Sequence, residues 1–147
     1  ALVAIAAGVF GYHYNQPKMT LANGSGVSWE SYQGKWLVVN FFAEWCKPCL
    51  KEVPQLNQFA KGSKNLNAEL LAVSYDPLNA EKLLQLKDKY QMKFDLLVTQ
   101  PRPELLMKWP QQLPTTFIVN PEGKVVDRIL GEVTAEKLAN KISALAN

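Results

Sequence analysis

Apolar residues run from Trp36 to Phe42 with Asn40 as the one polar interruption, directly after Gly34-Lys35. A continuous run of that length predicts a strand buried on both faces. Leu50, Val53, Leu56 and Phe59 then recur at intervals of three, marking one face of an amphipathic helix. Leu70 to Tyr75 predicts a second strand, closed by Asp76-Pro77, and Asn79 is placed to cap a helix bearing Leu83, Leu84, Leu86 and Tyr90. Phe94 to Val98 is a third buried run. Pro101, Pro103 and Pro110 divide the next stretch into a short helix and loops. Thr115–Val119 and Lys124–Leu130 predict two strands joined by the tight turn Asn120-Pro121-Glu122-Gly123. A last helix starts near Thr134, with Ala135, Leu138, Ala139, Ile142 and Leu145 along one face. This order predicts an α/β fold: a central mixed sheet flanked by helices on both faces.

Length and composition set few further limits. The 147 residues suit one domain, and 48% hydrophobic with 20% charged residues is an ordinary globular balance. A formal charge of +3, from lysines scattered rather than massed, gives no reason to expect a nucleic-acid partner. The beginning of the chain differs from the rest. Ala1 to Phe10 are all apolar or glycine, and Tyr12 and Tyr14 precede polar chain. The run is shorter than the roughly 20 residues that span a bilayer, and no starting Met or basic residues precede it. We read residues 1–16 as the remnant of a truncated signal anchor, 17–26 as a tether and 27–147 as the folded domain. The competing reading is a buried N-terminal helix or strand of the domain itself. An anchor would place the domain outside the cytoplasm, with its tyrosines at the membrane interface.

The chemistry centres on two cysteines, Cys46 and Cys49. A disulfide closing so short a loop removes little chain entropy, so the pair points to reactivity rather than scaffolding. Cys46 follows a buried strand and opens a helix, where unpaired N–H groups and the helix dipole favour the attacking thiolate. Residues three apart on a helix lie close enough to form a disulfide. Cys46 is therefore expected to attack a substrate disulfide and Cys49 to resolve the mixed disulfide. Lys47 adds a nearby positive charge, and Pro48 sits in the first turn, where a missing N–H costs little. Pro54, inside the amphipathic helix, predicts a kink. Leu113-Pro114-Thr115 opens a strand with a proline, the residue whose preceding bond is the usual site of a cis peptide.

A strand, Trp45-Cys46-Lys47-Pro48-Cys49, a helix kinked at Pro54 and Pro114-Thr115 opening the hairpin together resemble the thioredoxin superfamily, over roughly Val27 to Ala146. The resemblance implies a cis Pro114 lying against the dithiol. Trp45, Lys47, Pro48, Leu113 and Thr115 would then surround a bound substrate segment. Thioredoxins proper carry an Asp six residues before the first cysteine; here Asn40 holds that place and cannot titrate. Glu52 stands three residues after Cys49, about one turn along. Buried there, its pKa would rise and it could exchange a proton with Cys49; solvated, it would be an ordinary surface glutamate. Asn40 with Glu52, and the lead-in Ser28 to Lys35, are similar to the membrane-tethered TlpA/ResA/CcmG group. That resemblance implies a periplasmic thiol–disulfide oxidoreductase, a monomer re-reduced by a membrane or other thiol donor, with a role in cytochrome c maturation among the possibilities.

Competing chemistry is weaker. A zinc site needs about four ligands, whereas the sequence has two cysteines and one histidine, His13. No metal is expected, and no cofactor beyond the cysteines. A peroxiredoxin-type peroxidase carries Thr or Ser three residues before its reactive cysteine, and Ala43 occupies that position. A redox-weak thioredoxin-like binding module, or an oxidase or isomerase, remains as the alternative to a reductant. Lys47-Pro48 lacks the histidine of strongly oxidising relatives, which favours the reductant. Trp109 and Pro101-Arg102-Pro103 either shape a docking groove or serve as packing, the latter being preferred.

Overall fold

The computed structural model describes residues 19–147. The anchor reading of residues 1–16 and the first two residues of the tether fall outside that range. Among the described residues no helix is long and apolar enough to cross a membrane.

The continuous apolar run becomes β3 (Trp36–Phe42), all seven residues of which are buried. It pairs in parallel with β4 (Ala68–Ser74) and antiparallel with β6 (Thr115–Val119). β5 (Asp95–Leu97) extends the sheet beyond β4, and β7 (Val125–Leu130) extends it beyond β6, giving the order β5-β4-β3-β6-β7. A strand with neighbours on both sides and cover on both faces has no polar surface to maintain, which is why β3 reads as unbroken apolar chain. The turn into β7 uses Gly123 at φ 84°, with its N–H donating to the Asn120 carbonyl at 2.9 Å.

The strands sort their side chains by alternation. Val38, Phe42, Leu70, Ala72, Leu96 and Ile118 meet the helices α2 (Val53–Gly62), α3 (Ala80–Lys89) and α4 (Ala135–Ala146). Leu37, Val39, Phe41, Leu71, Val73 and Phe117 face the other way. The mixed sheet flanked by helices is as the sequence predicts, but its second face is covered differently. There the cover is a 3-10 turn at Trp29–Tyr32, the short hairpin of β1 (Met19–Thr20) with β2 (Gly26–Val27), and irregular chain carrying Met107 and Trp109. The short helix expected between Pro101 and Pro110 does not form. Four prolines within 101–114 remove donors and restrict the residues before them, and the segment packs as irregular chain instead.

The tether reading also needs correction. Met19, Leu21 and Ala22 are buried, and Ala22 N–H donates to Leu96 O at 2.8 Å while Val98 N–H donates to Thr20 O at 2.9 Å. This stretch closes the β5 edge, a row of backbone groups that would otherwise be unpaired. In α3, Leu83 is fully buried, whereas Leu84, placed by periodicity on the same face, is 46% exposed. Leu83→Ala should therefore cost about 2–5 kcal/mol, and Leu84→Ala less than about 1 kcal/mol, measured by urea unfolding.

Candidate active site

The chain leaves β3 at Phe42 and turns through Ala43–Trp45, with Cys46 N–H donating to Ala43 O at 3.1 Å. Cys46 is the extended N-cap of α1 (Lys47–Lys51), and Pro48 sits in its first turn. Cys46 and Cys49 form a disulfide with Cα atoms 5.3 Å apart. The Cys49 N–H points at Cys46 Sγ from 3.3 Å, one of the orphan donors of the helix start turned onto sulfur. Cys46 keeps 5% exposure against 1% for Cys49, while Trp45, Lys47 and Pro48 around them are exposed.

The expected kink falls between α1, which ends at Lys51, and α2, which begins at Val53 with Pro54 in its first turn. Glu52 between them keeps right-handed helical angles (φ −80°, ψ −9°) and donates its N–H to Pro48 O at 3.2 Å. Proline cannot donate to the Leu50 carbonyl as residue 54 of a continuous helix would. The kink leaves Glu52 between the helices, its carbonyl taken by Leu56 N–H at 3.0 Å.

Glu52 is 2% exposed, which removes the solvated reading. Oε1 accepts from Asn40 Nδ2 at 2.7 Å and Oε2 from Val133 N–H at 2.9 Å. Asn40 Nδ2 also donates to Thr116 Oγ1 at 3.0 Å, so β3, β6, the helix kink and the chain before α4 meet at this carboxyl group. Burial pushes its pKa up to about 7, the two donated hydrogen bonds pull it down by less, and nearby Glu132 raises it slightly. Neither oxygen bonds to the Cys49 sulfur in this oxidised form.

Leu113–Pro114 is cis, as the resemblance implies. Thr115 pairs with Phe41, which sets Pro114 at the end of the sheet where β3 delivers the cysteines. Gly131 N–H donates to Pro114 O at 2.9 Å. Leu113 is half-buried and, among the described residues, its backbone makes no hydrogen bond. Thr115 is different: its hydroxyl donates inward to Gln112 O at 2.8 Å and its backbone is committed to the sheet.

Two features are not visible in the sequence. Trp45, 64% exposed, donates its Nε1–H to Asp76 Oδ2 at 2.9 Å, so its indole is anchored despite the exposure. Asp76-Pro77 reads as a strand terminator, and nothing in sequence spacing links it to Trp45. Glu44 likewise meets Lys89 at 3.0 Å and the Tyr90 hydroxyl at 3.1 Å, tying the turn before Cys46 to α3. Those bonds hold the Glu44 carboxyl below its usual pKa. Trp109 packs edge-on to Phe41 with ring centres 5.5 Å apart and lies under the Arg102 guanidinium at 4.2 Å, while staying only half-buried.

A raised carboxyl pKa means that the folded form holds a proton the unfolded chain has lost. The stabilisation is complete below the unfolded value near 4.5 and fades as pH rises through about 7. Relative to Glu52→Gln, the oxidised wild type should lose about 3 kcal/mol of stability between those limits, read by urea unfolding across pH. Gln is tolerable because Asn40 can turn its amide to present oxygen to the new NH2 group.

The chain is similar to known proteins over most of its length. Residues 13–128 match the AhpC/TSA family. The chain is 30% identical over 120 residues to thiol-disulfide oxidoreductase ResA of Bacillus anthracis, covering 82% of this chain and 69% of that one. StoA from Bacillus subtilis superposes with a TM-score of 0.69 at 24% identity, covering 83% of this chain and 92% of StoA. Peroxiredoxin Q of Xanthomonas campestris gives 0.69 at 21% identity, covering 88% and 90%. These last two likenesses speak to the fold.

Proposed function

The chain belongs to the AhpC/TSA family of the thioredoxin superfamily, and on that footing we propose that it is a thiol–disulfide oxidoreductase working as a reductant of extracytoplasmic protein disulfides. One observation carries the reading: Cys46 and Cys49 bridge one turn of α1 beside three exposed residues and the end of the sheet that holds cis Pro114.

In the reduced enzyme the Cys46 thiolate attacks one sulfur of the substrate disulfide. A mixed disulfide forms and the other substrate sulfur leaves as a thiolate. Cys49 then gives up its proton and attacks Cys46 Sγ, which releases the second substrate thiolate and closes the Cys46–Cys49 bridge. Two electrons have passed to the substrate, and a dithiol protein must return them for the next turnover. Glu52, held near neutrality by burial, is the group we assign to take the Cys49 proton. It needs a small shift to do so, since both its oxygens are engaged in the oxidised form. The unpaired Leu113 backbone supports its role as the edge that meets an extended substrate segment. The N-terminal apolar run supports a membrane tether, which would put the domain on the outer face of the cell membrane.

A peroxidase reading draws on the family name and on the peroxiredoxin Q fold. Ala43, buried three residues before Cys46, offers no hydroxyl to a peroxide there, and we favour disulfide substrates.

Insulin reduction with a dithiol donor should be catalysed by the wild type and abolished by Cys46→Ser. Alkylation of the reduced protein at neutral pH should label Cys46 first, and preferential label on Cys49 would reverse the assigned roles. Equilibration with glutathione tests direction. The reductant reading expects a potential toward the thioredoxin value of about −270 mV, and one near −120 mV would make the protein an oxidant.

A further inference from the structure

A groove of about 330 Å³ opens beside the Pro114 loop, on the sheet face away from the helices. Trp109, Phe117 and Leu130 supply its apolar surface, and Thr115, Lys108 and Arg128 also line it. Leu130 is 49% exposed, an apolar side chain that the fold leaves uncovered. No acidic residue lines the groove. Among the described residues Lys108 and Arg128 make no ion pair, although five other basic residues do. Two cations without ion-pair partners beside an open apolar floor fit a ligand with an apolar body and a carboxylate.

The position of the groove says where such a ligand comes from. Thr115 pairs with Phe41 on one side and Leu130 on the other, so the floor begins next to cis Pro114. β7 lies two strand spacings from β3, roughly 10 Å, which is about three residues of extended chain. Cys46 packs on the helix side of the sheet and Phe117 on the other, with Leu113 touching both clusters. A segment with its cystine at Cys46 would therefore round the end of the sheet at Leu113 and meet the groove on the order of three or four residues further on.

We propose that the groove lined by Lys108 and Arg128 is a substrate-docking subsite that selects disulfides followed, three or four residues away, by an acidic residue in extended chain. This rests on the reductase reading and names the substrate class for it. The cations act by complementarity, favouring capture of acidic segments and leaving the sulfur chemistry to Cys46 and Cys49.

Two disulfide-linked peptides of equal length test it, with Asp in one and Asn in the other at the third and fourth residues after the cysteine. At about 20 mM salt the wild type should reduce the Asp peptide with a kcat/KM about tenfold higher. The preference should vanish at about 500 mM salt and in Lys108→Glu/Arg128→Glu, which should still reduce the Asn peptide. A ratio near one in the wild type, or a preference that survives charge reversal, overturns the proposal. Peptides with Ser in place of Cys separate docking from chemistry. Tighter binding of the Asp form, with NMR shifts at Lys108 and Arg128, upholds the groove even if reduction fails and the reductase reading falls. Equal binding of the two forms removes the groove whatever the turnover.

Discussion

The carboxyl group of Glu52 is the point through which the two halves of the fold are joined to the reactive turn. Its two oxygens gather a side chain from β3 and a backbone N–H from the chain entering α4, and Asn40 extends the contact to Thr116 on β6. Burying a carboxyl group without such donors would leave unsatisfied polar atoms at a cost of several kcal/mol. Burying it with them as a full carboxylate still sacrifices hydration, which is why the proton is held to about pH 7. The atoms that tie these elements together are thus the ones whose pKa burial raises.

That arrangement sits at the kink between α1 and α2. Pro54 withholds the donor that would bond the Leu50 carbonyl, and Glu52 lies at the junction, bonded to Asn40. The same turn exposes Lys47 and Pro48 while Cys49 is drawn under them. Around it, Trp45 is fastened to Asp76 and Glu44 to Lys89 and Tyr90, so the segment carrying Cys46 is braced by side chains from β4's end and from α3. Exposed ion pairs of the Glu44 kind contribute little stability each; their effect here is orientation.

Much of the fold was legible because burial leaves a period in sequence. β3, β4, β6 and β7 stand where alternation or unbroken apolarity put them, and Asn79 and Thr134 cap α3 and α4 through their side-chain oxygens. The failures share a cause. Residues 19–26 look like a tether because the stretch is short and rich in small or polar residues, yet a few apolar side chains suffice when a sheet edge is waiting for them. Leu84 has the right spacing to be core, but a ten-residue helix on one sheet face has room inside for Leu83 and Leu86 and not for their neighbour. The proline-rich stretch before Pro114 carries enough apolar residues to suggest a helix, and backbone chemistry forbids one.

The reactive pair, its place after a buried strand, the proline expected to be cis and the glutamate one turn beyond were all written in the order of residues. The pair and the glutamate depend on spacing within a few positions, which the chain carries directly, whereas the cis state of Pro114 was implied by the family resemblance. Packing chose the groups that complete the site. Val133 reaches Glu52 across 81 positions and Thr116 reaches Asn40 across 76. No local pattern marks a backbone N–H as the future partner of a distant carboxyl group, because its availability arises when the chain before α4 is laid over the helix kink. The cationic groove has the same origin: Lys108 and Arg128 become a pair once β7 folds back along β6 and the irregular chain settles across the open face.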